Sequence, residues 1–334
     1  MPAPTRTAVL DLDLTPDRPP LLHVDASGDP PGWAARHRDV LRDVVNQHGA
    51  VLVRGLGLRD VASAAAVVGL LSDDLMAERE AFAPRQALGG GVHSATPWPS
   101  NQPMCMHHEL SYARNFPGLL LFACLRAAGQ GGATGVADAA SVLAELPPEL
   151  VKRFERQGWV LARTYNDEIG ASYAEAFGTD DRAEVDRYCR ANGISVDWQP
   201  DGGLRTRQRR RAVVRHPVTG VRCWFNQVAF LNEWTLDPDI REFLVDAYGR
   251  DGLPFTTLYG DGEPIGEDVV RLLNDVYTAQ TRSEPWCDGD LLLVDNVRSA
   301  HSREAFTGQR EVVVGLADPH HVAKGSPTVQ RGAQ

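Results

Sequence analysis

The spacing of apolar and polar residues predicts several amphipathic helices along the chain. In residues 32–49 the apolar side chains recur at the spacing of one helix face, and Gly49 can end that helix. A compact apolar strand, AVLVRGL, follows at 50–56. Similar helical patterns recur at 59–75, at about 146–156, at 170–193, at 237–249 and at 267–280.

Apolar runs between these helices predict strands. Residues 211–230 indicate a hairpin, because a Pro-Val-Thr-Gly turn separates two apolar stretches. The eight or nine predicted strands do not alternate evenly with helices, which disfavours a doubly wound parallel sheet. We therefore predict one domain over residues 1–334, mainly β with helical additions and a jelly-roll core. The other clear strands lie at 119–128, 159–165, 286–296 and 310–319.

Two segments depart from these patterns. Residues 80–103 hold three consecutive glycines and several prolines without any period, so we predict a long loop that acts as an active-site lid. Residues 166–211 are predicted to be a helical and loop insert. The insert ends in RTRQRRR (205–211), which is typical of a solvated loop. Two alternatives remain for this run. It could bind a substrate carboxylate, or it could bind a phosphate-bearing partner such as the phosphopantetheine arm of an acidic carrier protein.

Composition limits the classes of binding partner that we expect for this chain. The formal net charge of −10 argues against a nucleic-acid or membrane-surface protein, because both partners attract basic surfaces. No apolar run reaches the length of a membrane span. The five cysteines are scattered and form no CxxC pair, which disfavours a disulfide framework or a structural zinc site. We expect a cytoplasmic protein that acts on a small molecule, and the oligomeric state stays open.

Candidate metal-binding and catalytic residues are concentrated in the stretch MCMHHELSYARNFPG (104–118). Three ionisable residues, His107, His108 and Glu109, stand together in what the pattern predicts to be a strand. Because strand side chains alternate, His107 and Glu109 share one face and His108 takes the other. One imidazole and one carboxylate on one face can bind a metal. For the H-x-E pattern alone, ordinary polar residues on an edge strand are the favoured interpretation, since short motifs recur by chance.

A third ligand is available near the end of the chain. His301 follows the apolar strand at 286–296, where the chain turns back. Two histidines and one carboxylate on one face of an ion form the facial triad of non-haem Fe(II) oxygenases. Arg310 lies further along the same rim and could pair with the distal carboxylate of a metal-chelating keto acid. For Arg310 alone, a solvated charge is the alternative interpretation.

Four blocks give the chain a resemblance to a known family. MHHELSYARNFPG, GGATGVADAASV, HPVTGVRCWFNQ and WCDGDLLLVDNVRSAHSREAFTGQR stand in the family's order between about residues 50 and 318. In these blocks the chain resembles TauD/TfdA-like Fe(II)/2-oxoglutarate-dependent dioxygenases. Within that family it is similar to the amino-acid hydroxylases of nonribosomal-peptide pathways, of the syringomycin-cluster aspartyl hydroxylase and clavaminate synthase-like types. The resemblance implies a double-stranded β-helix.

The resemblance also implies roles for particular residues. His107, Glu109 and His301 match the family's iron ligands. Arg310 and Thr134 match the residues that hold the distal carboxylate of 2-oxoglutarate. The chain departs from taurine dioxygenase at Val314, where that enzyme has a second arginine for the substrate sulfonate, so a sulfonate substrate is not expected. Implied cofactors are Fe(II), 2-oxoglutarate as co-substrate, and O2.

We therefore predict an oxygenase that hydroxylates an unactivated C–H bond of an amino acid or amino-acid-derived intermediate, free or carrier-tethered, and releases succinate and CO2. Desaturation, epoxidation or cyclisation by the same chemistry is an alternative outcome. A zinc-dependent hydrolase and a non-catalytic metabolite-binding jelly roll are the alternatives from other classes. The candidate substrate contacts are Ser94, Trp98, Asn101, Tyr112, Arg114, Asn226, Gln227 and Arg298.

Overall fold

The computed structural model describes residues 10–166, 168–322 and 329–331, in which short and long strands assemble into several sheets. The described strands are β1 (Leu12–Asp13), β2 (Leu21–His23), β3 (Ala50–Arg54), β4 (Ala87–Gly89), β5 (Val92–Ser94), β6 (Met104–His107), β7 (Asn115–Arg126), β8 (Gln130–Gly131), β9 (Val136–Asp138), β10 (Trp159–Tyr165), β11 (Ile194–Trp198), β12 (Leu204–Arg210), β13 (Val213–Arg215), β14 (Arg222–Trp224), β15 (Phe255–Tyr259), β16 (Leu291–Asp295), β17 (Ser299–Arg303), β18 (Phe306–Thr307), β19 (Glu311–Val322) and β20 (Val329–Arg331).

Helices surround these sheets. The first begins after Asp29, whose side chain accepts a hydrogen bond from the Gly32 amide, and ends before Gly49, whose φ of 81° suits a glycine. The helices in the described residues are α1 (Pro30–His48), α2 (Val61–Leu71), α3 (Ala139–Glu145), α4 (Pro148–Gln157), α5 (Tyr173–Phe177), α6 (Arg182–Asn192), α7 (Pro238–Tyr248) and α8 (Glu267–Gln280), with 3-10 turns at Glu233–Thr235 and Arg250–Gly252.

The large sheet has the strand order β1-β2-β3-β16-β7-β19-β5-β4, and β20 adds to β19. All its pairs are antiparallel except β2 with β3. Alternation along β7 divides its residues between two cores: Leu119 and Leu121 pack towards α1 and α2, whereas Leu120 and Cys124 face the interior of the sandwich. Each face is apolar, which explains why the sequence shows this strand as a continuous apolar run.

A small sheet, β6-β17-β9, lies against the inner face of the large one. Val136 of β9 joins the same apolar cluster as Leu120 and Leu292 of the large sheet. Phe122 of β7 reaches the ring of His301 in β17, with 5.2 Å between ring centroids. The two sheets therefore enclose the residues that the sequence singled out. The architecture is mainly β with helical additions, as predicted.

Two sequence predictions need correction. Residues 80–103 are not one long loop, because they contain β4 and β5, and β5 pairs with β19 in the large sheet. Residues 166–211 contain helices α5 and α6 as expected, but also the strands β11 and β12. With β10 and β15 these strands form a four-stranded sheet in the order β11-β12-β10-β15. The hairpin predicted at 211–230 is confirmed as β13 and β14.

Candidate metal centre and its surroundings

Two histidines and one glutamate meet at the edge of the small sheet. Strand β6 ends at His107, and His301 of β17 lies directly opposite it. Glu109 follows two residues after His107. One potential ligand atom from each of the three residues lies within 4.8 Å of the others, and all three residues are buried. This is an arrangement in which three side chains can bind one divalent ion from one side.

The local backbone differs from the predicted strand. The strand ends at His107, and Leu110 adopts a left-handed φ of 53°, so Glu109 lies in a turn. The turn nevertheless directs Glu109 towards His107, as predicted. His108 points the other way, with its Nδ1 2.6 Å from the Asn296 carbonyl oxygen and its ring on Phe225.

Burial sets the protonation of the three candidate ligands. Burial lowers the pKa of His107 and of His301, so both imidazoles are neutral near pH 7. Burial alone would raise the pKa of Glu109, but the neighbouring Arg85 and His107 outweigh it, and the net pKa is lowered. His107 Nδ1 lies 2.8 Å from the Cys105 carbonyl oxygen, which leaves Nε2 with its lone pair free. Two neutral imidazoles and one carboxylate fit a divalent cation.

Asn296 fixes the backbone of Glu109. Its side-chain oxygen accepts a hydrogen bond from the Glu109 amide at 2.7 Å, and its amide group donates to the Glu109 carbonyl at 2.9 Å and to the Pro117 carbonyl at 2.8 Å. Asn296 is fully buried. Sequence reasoning missed this residue, although a polar Asp-Asn pair directly after the apolar run LLLV was a signal.

Arg85 is a second residue that the sequence did not reveal. Its guanidinium donates to the Glu109 carboxylate at 2.6 Å and also pairs with Glu78. The Arg85 side chain is only 5% exposed and that of Glu78 only 10% exposed. No sequence pattern pointed to Arg85, because it lies in the stretch without periodicity. Glu78 is likewise new: burial raises its pKa although Arg85 opposes the change.

A small cavity of about 20 Å³ lies beside this ion pair and beside two residues of the triad. Its lining includes His107, Glu109, Arg85, Glu78 and Phe230. A volume of this size is on the scale of one water molecule. An organic ligand can therefore enter only if the segment that carries Arg85 moves away from Glu109.

The residues predicted to bind 2-oxoglutarate lie beside the small sheet. Arg310 donates from Nε to the Gly132 carbonyl oxygen at 3.0 Å, and Thr134 is buried two residues further on. Strand β9, which begins at Val136, pairs with His301. Burial lowers the pKa of Arg310 to about 10, and among the described residues we find no carboxylate paired with its guanidinium. A buried cation without an acidic partner is suited to bind an anion.

Three of the predicted substrate residues lie at or near the triad. Tyr112 and Gln227 line the small cavity. Tyr112 donates its hydroxyl to the Glu80 carbonyl, and Gln227 donates to the His108 carbonyl while its buried Oε1 lacks a partner among the described residues. Trp98 contacts Phe230 at 5.9 Å between ring centroids, and Phe230 stacks on His107 at 4.6 Å.

The other predicted substrate residues do not line this cavity, and their contacts are structural. Asn226 bonds to the Ala212 carbonyl and accepts from the Val228 amide. Arg298 pairs with Asp138. Arg114 donates to the Ala191 carbonyl at 2.9 Å, Ser94 accepts from the Gln86 amide at 3.1 Å inside a hairpin, and Asn101 lies exposed in a turn. Their predicted proximity to the site had rested on their positions in the sequence alone.

The family model described as taurine catabolism dioxygenase TauD, TfdA family, matches residues 13–316. The chain belongs to the TauD/TfdA family. The predicted enzyme class, a dioxygenase, is thereby confirmed, together with the cofactor set of Fe(II), 2-oxoglutarate and O2. The zinc hydrolase and the non-catalytic binder, which the residues alone had left open, lose their support.

Two curated relatives cover most of the chain. The dapdiamide synthesis protein DdaC of Enterobacter agglomerans is 32% identical over 86% of this chain and 88% of its own length. A clavaminate synthase-like protein of Arabidopsis thaliana is 27% identical over 83% of both chains. Among solved structures, a taurine dioxygenase from Burkholderia xenovorans superposes with a TM-score of 0.56 at 15% identity and covers 97% of this chain and 95% of that one. That likeness confirms the predicted jelly-roll fold.

No helix in the described residues is long and apolar enough to cross a membrane.

Proposed function

We propose that the protein hydroxylates an unactivated C–H bond of an amino acid or an amino-acid-derived intermediate and converts 2-oxoglutarate to succinate and CO2. The observation that carries this proposal is the buried set of His107, Glu109 and His301, whose ligand atoms lie within 4.8 Å of one another. Iron held there would supply the redox chemistry with O2. The protein's part is to hold the reactants, orient them and exclude water.

In this proposal Arg310 and Thr134 hold the distal carboxylate of 2-oxoglutarate. The partly buried guanidinium of Arg310 gains a counter-ion when the keto acid binds, which offsets the cost of its desolvation. The Thr134 hydroxyl is buried on the same segment as the Gly132 carbonyl that orients Arg310. Together they favour a dicarboxylic co-substrate over a monocarboxylic one.

Arg85 and Glu78 support an amino-acid substrate. An α-amino acid presents one carboxylate and one ammonium group, and this buried pair offers a guanidinium and a carboxylate beside the triad. Iron held by Glu109 would compete with Arg85 for that carboxylate, and the guanidinium could then turn to the substrate carboxylate. A thioester-tethered substrate would lack the carboxylate and use Glu78 alone, so this pair distinguishes a free substrate from a carrier-bound one.

The first test is the visible spectrum of the anaerobic Fe(II)-loaded protein after 2-oxoglutarate is added. We expect a weak charge-transfer band that Glu109→Ala abolishes and Arg310→Ala weakens at least tenfold at limiting 2-oxoglutarate. The matched control is Arg126→Ala, because Arg126 is exposed and bonds only to Gln309 in the described residues. A wild-type protein that binds iron but gives no band would contradict the proposal.

The substrate class is tested on the same protein by measuring succinate with a panel of free α-amino acids. A true substrate increases succinate and gains one oxygen atom in its mass. Arg85→Gln should then raise KM for that substrate about tenfold or more. An amino acid that reacts equally well with the Arg85→Gln variant would refute the role of Arg85, and no response to any amino acid would redirect the search to other metabolites.

A further inference from the structure

A second cavity lies behind the turn that carries Glu109. Its volume is about 570 Å³, within the range of small-molecule sites. Ser111, Ala113 and Arg114, which closely follow Glu109, belong to its lining, and the buried Phe116 and Phe225 lie behind it. This cavity plays no part in the chemistry proposed at the triad.

Its lining is strongly basic, although the whole chain has a net charge of −10. Five arginines and one glutamate line it. The glutamate, Glu155, is already paired with Arg222 outside the cavity. Three of the arginines, Arg114, Arg209 and Arg210, donate to backbone carbonyls. Neither these three nor Arg156 forms an ion pair with a carboxylate in the part of the chain that the structure describes.

One cation in this lining has no carboxylate at contact distance in the described residues, and one buried hydroxyl has no partner there. The partly buried Arg210 donates to the Tyr112 and Asn192 carbonyls, and burial lowers its pKa although Glu80 opposes the change. The hydroxyl of Ser111 is buried with no hydrogen-bond partner among the described residues, and Ser111 is only 4% exposed. Clustered cations beside an unpartnered hydroxyl cost free energy, and an anion with several acceptor oxygens would satisfy both.

The same arrangement shows how the run RTRQRRR is used. Residues 205–210 of the run lie in β12 (Leu204–Arg210), in which Thr206 and Gln208 point inwards and Arg207 between them points out. Arg207 pairs with Asp251 beside a different cavity. Arg209, Arg210 and Arg211 line the basic one. The run therefore concentrates its last three arginines at one place.

We propose that this cavity binds the phosphate group of a phosphorylated ligand. The arginines would bind the phosphate oxygens, and Ser111 would donate its hydroxyl to one of them. The ligand is either a free phosphorylated metabolite or the phosphopantetheine arm of a carrier protein. The second source rests on the proposed function, because it would tether the substrate of the oxygenase.

Calorimetric titration of the full chain at low salt tests this site without iron, 2-oxoglutarate or turnover. The probes are 4′-phosphopantetheine, pantetheine, which lacks the phosphate, and pyrophosphate. We expect phosphopantetheine to bind at least tenfold more tightly than pantetheine, with an affinity that falls as salt rises. The double variant Arg156→Gln/Arg209→Gln and the single variant Ser111→Ala should each weaken it, the double variant at least tenfold.

The control is Arg207→Gln, an exposed arginine of the same strand outside the cavity, which should bind as the wild type does. Pyrophosphate binding as tight as that of phosphopantetheine would assign the site to free phosphorylated molecules, whereas much tighter phosphopantetheine binding would assign it to the arm. Equal binding of pantetheine and phosphopantetheine, no binding of either, or an equal loss in Arg207→Gln would overturn the proposal. The charge-transfer band at the triad is independent of all these results.

Discussion

At the scale of single residues, Asn296 decides where the carboxylate of the triad lies. Its side-chain hydrogen bonds in the described residues all go to the backbone of Glu109 and Pro117, so we call it a positioning residue. We predict that Asn296→Ala destabilises the protein by about 3 kcal/mol, because buried backbone groups lose their partners. It should also weaken divalent-metal binding 10- to 100-fold, as is usual when the group that orients a ligand is lost.

Metal titration well below the unfolding temperature separates these two effects. The control is Asn101→Ala, which removes an exposed amide and should change neither stability nor metal affinity. A purely structural role would lower the melting temperature of Asn296→Ala and leave its metal affinity unchanged. That result would remove Asn296 from the site.

At the scale of elements, the segment at 78–86 is held to the four-stranded sheet. Arg163 of β10 donates to the carbonyls of Glu80 and Ala81 at 2.9 and 3.0 Å, and Tyr188 of α6 donates to the Glu80 carboxylate at 2.8 Å. These bonds hold the segment that carries Arg85 closed over the triad. If the segment opens to admit ligands, we expect these hydrogen bonds to act as its hinge.

We predict that Arg163→Met loosens the segment. Loss of two charge-assisted hydrogen bonds should cost about 3 kcal/mol and increase amide hydrogen exchange across residues 79–86. Exchange in β16 should stay as it is, which provides an internal control within the same protein. Unchanged protection at 79–86 would mean that other contacts hold the segment, and that opening does not pivot at Arg163.

The same segment shows what sequence patterns could and could not predict. His107, Glu109 and His301 were found because metal chemistry requires few residue types at a recognisable spacing. Arg85 was not found, because its role depends on a long-range contact with Glu109. Such a contact leaves no periodic pattern in the local sequence. Strand β12 was mistaken for a loop, because its buried face carries Thr206 and Gln208 instead of apolar side chains.

At the scale of the whole molecule, folding buries the histidines at and beside the triad, His107, His108 and His301, which the unfolded chain leaves in water. Burial lowers the pKa of His108 from 6.5 to about 4 and also lowers the pKa of His107 and His301. The unfolded chain therefore binds more protons than the folded one below pH 6.5. Stability is fully present above that pH and is lost as the pH falls towards 4.

We accordingly predict that the metal-free protein loses on the order of 3 kcal/mol through His108 alone between pH 6.5 and 4. Thermal unfolding across this range measures the loss. His108→Gln should make the curve shallower, because the variant lacks one of the buried imidazoles that must be protonated, whereas the exposed His23→Gln should leave its slope as in the wild type. Added Mn(II) should raise the melting temperature above pH 6.5 and progressively less below it, since protons compete for His107 and His301. A melting temperature that is independent of pH in this range would show that these imidazoles are not enclosed in the folded protein.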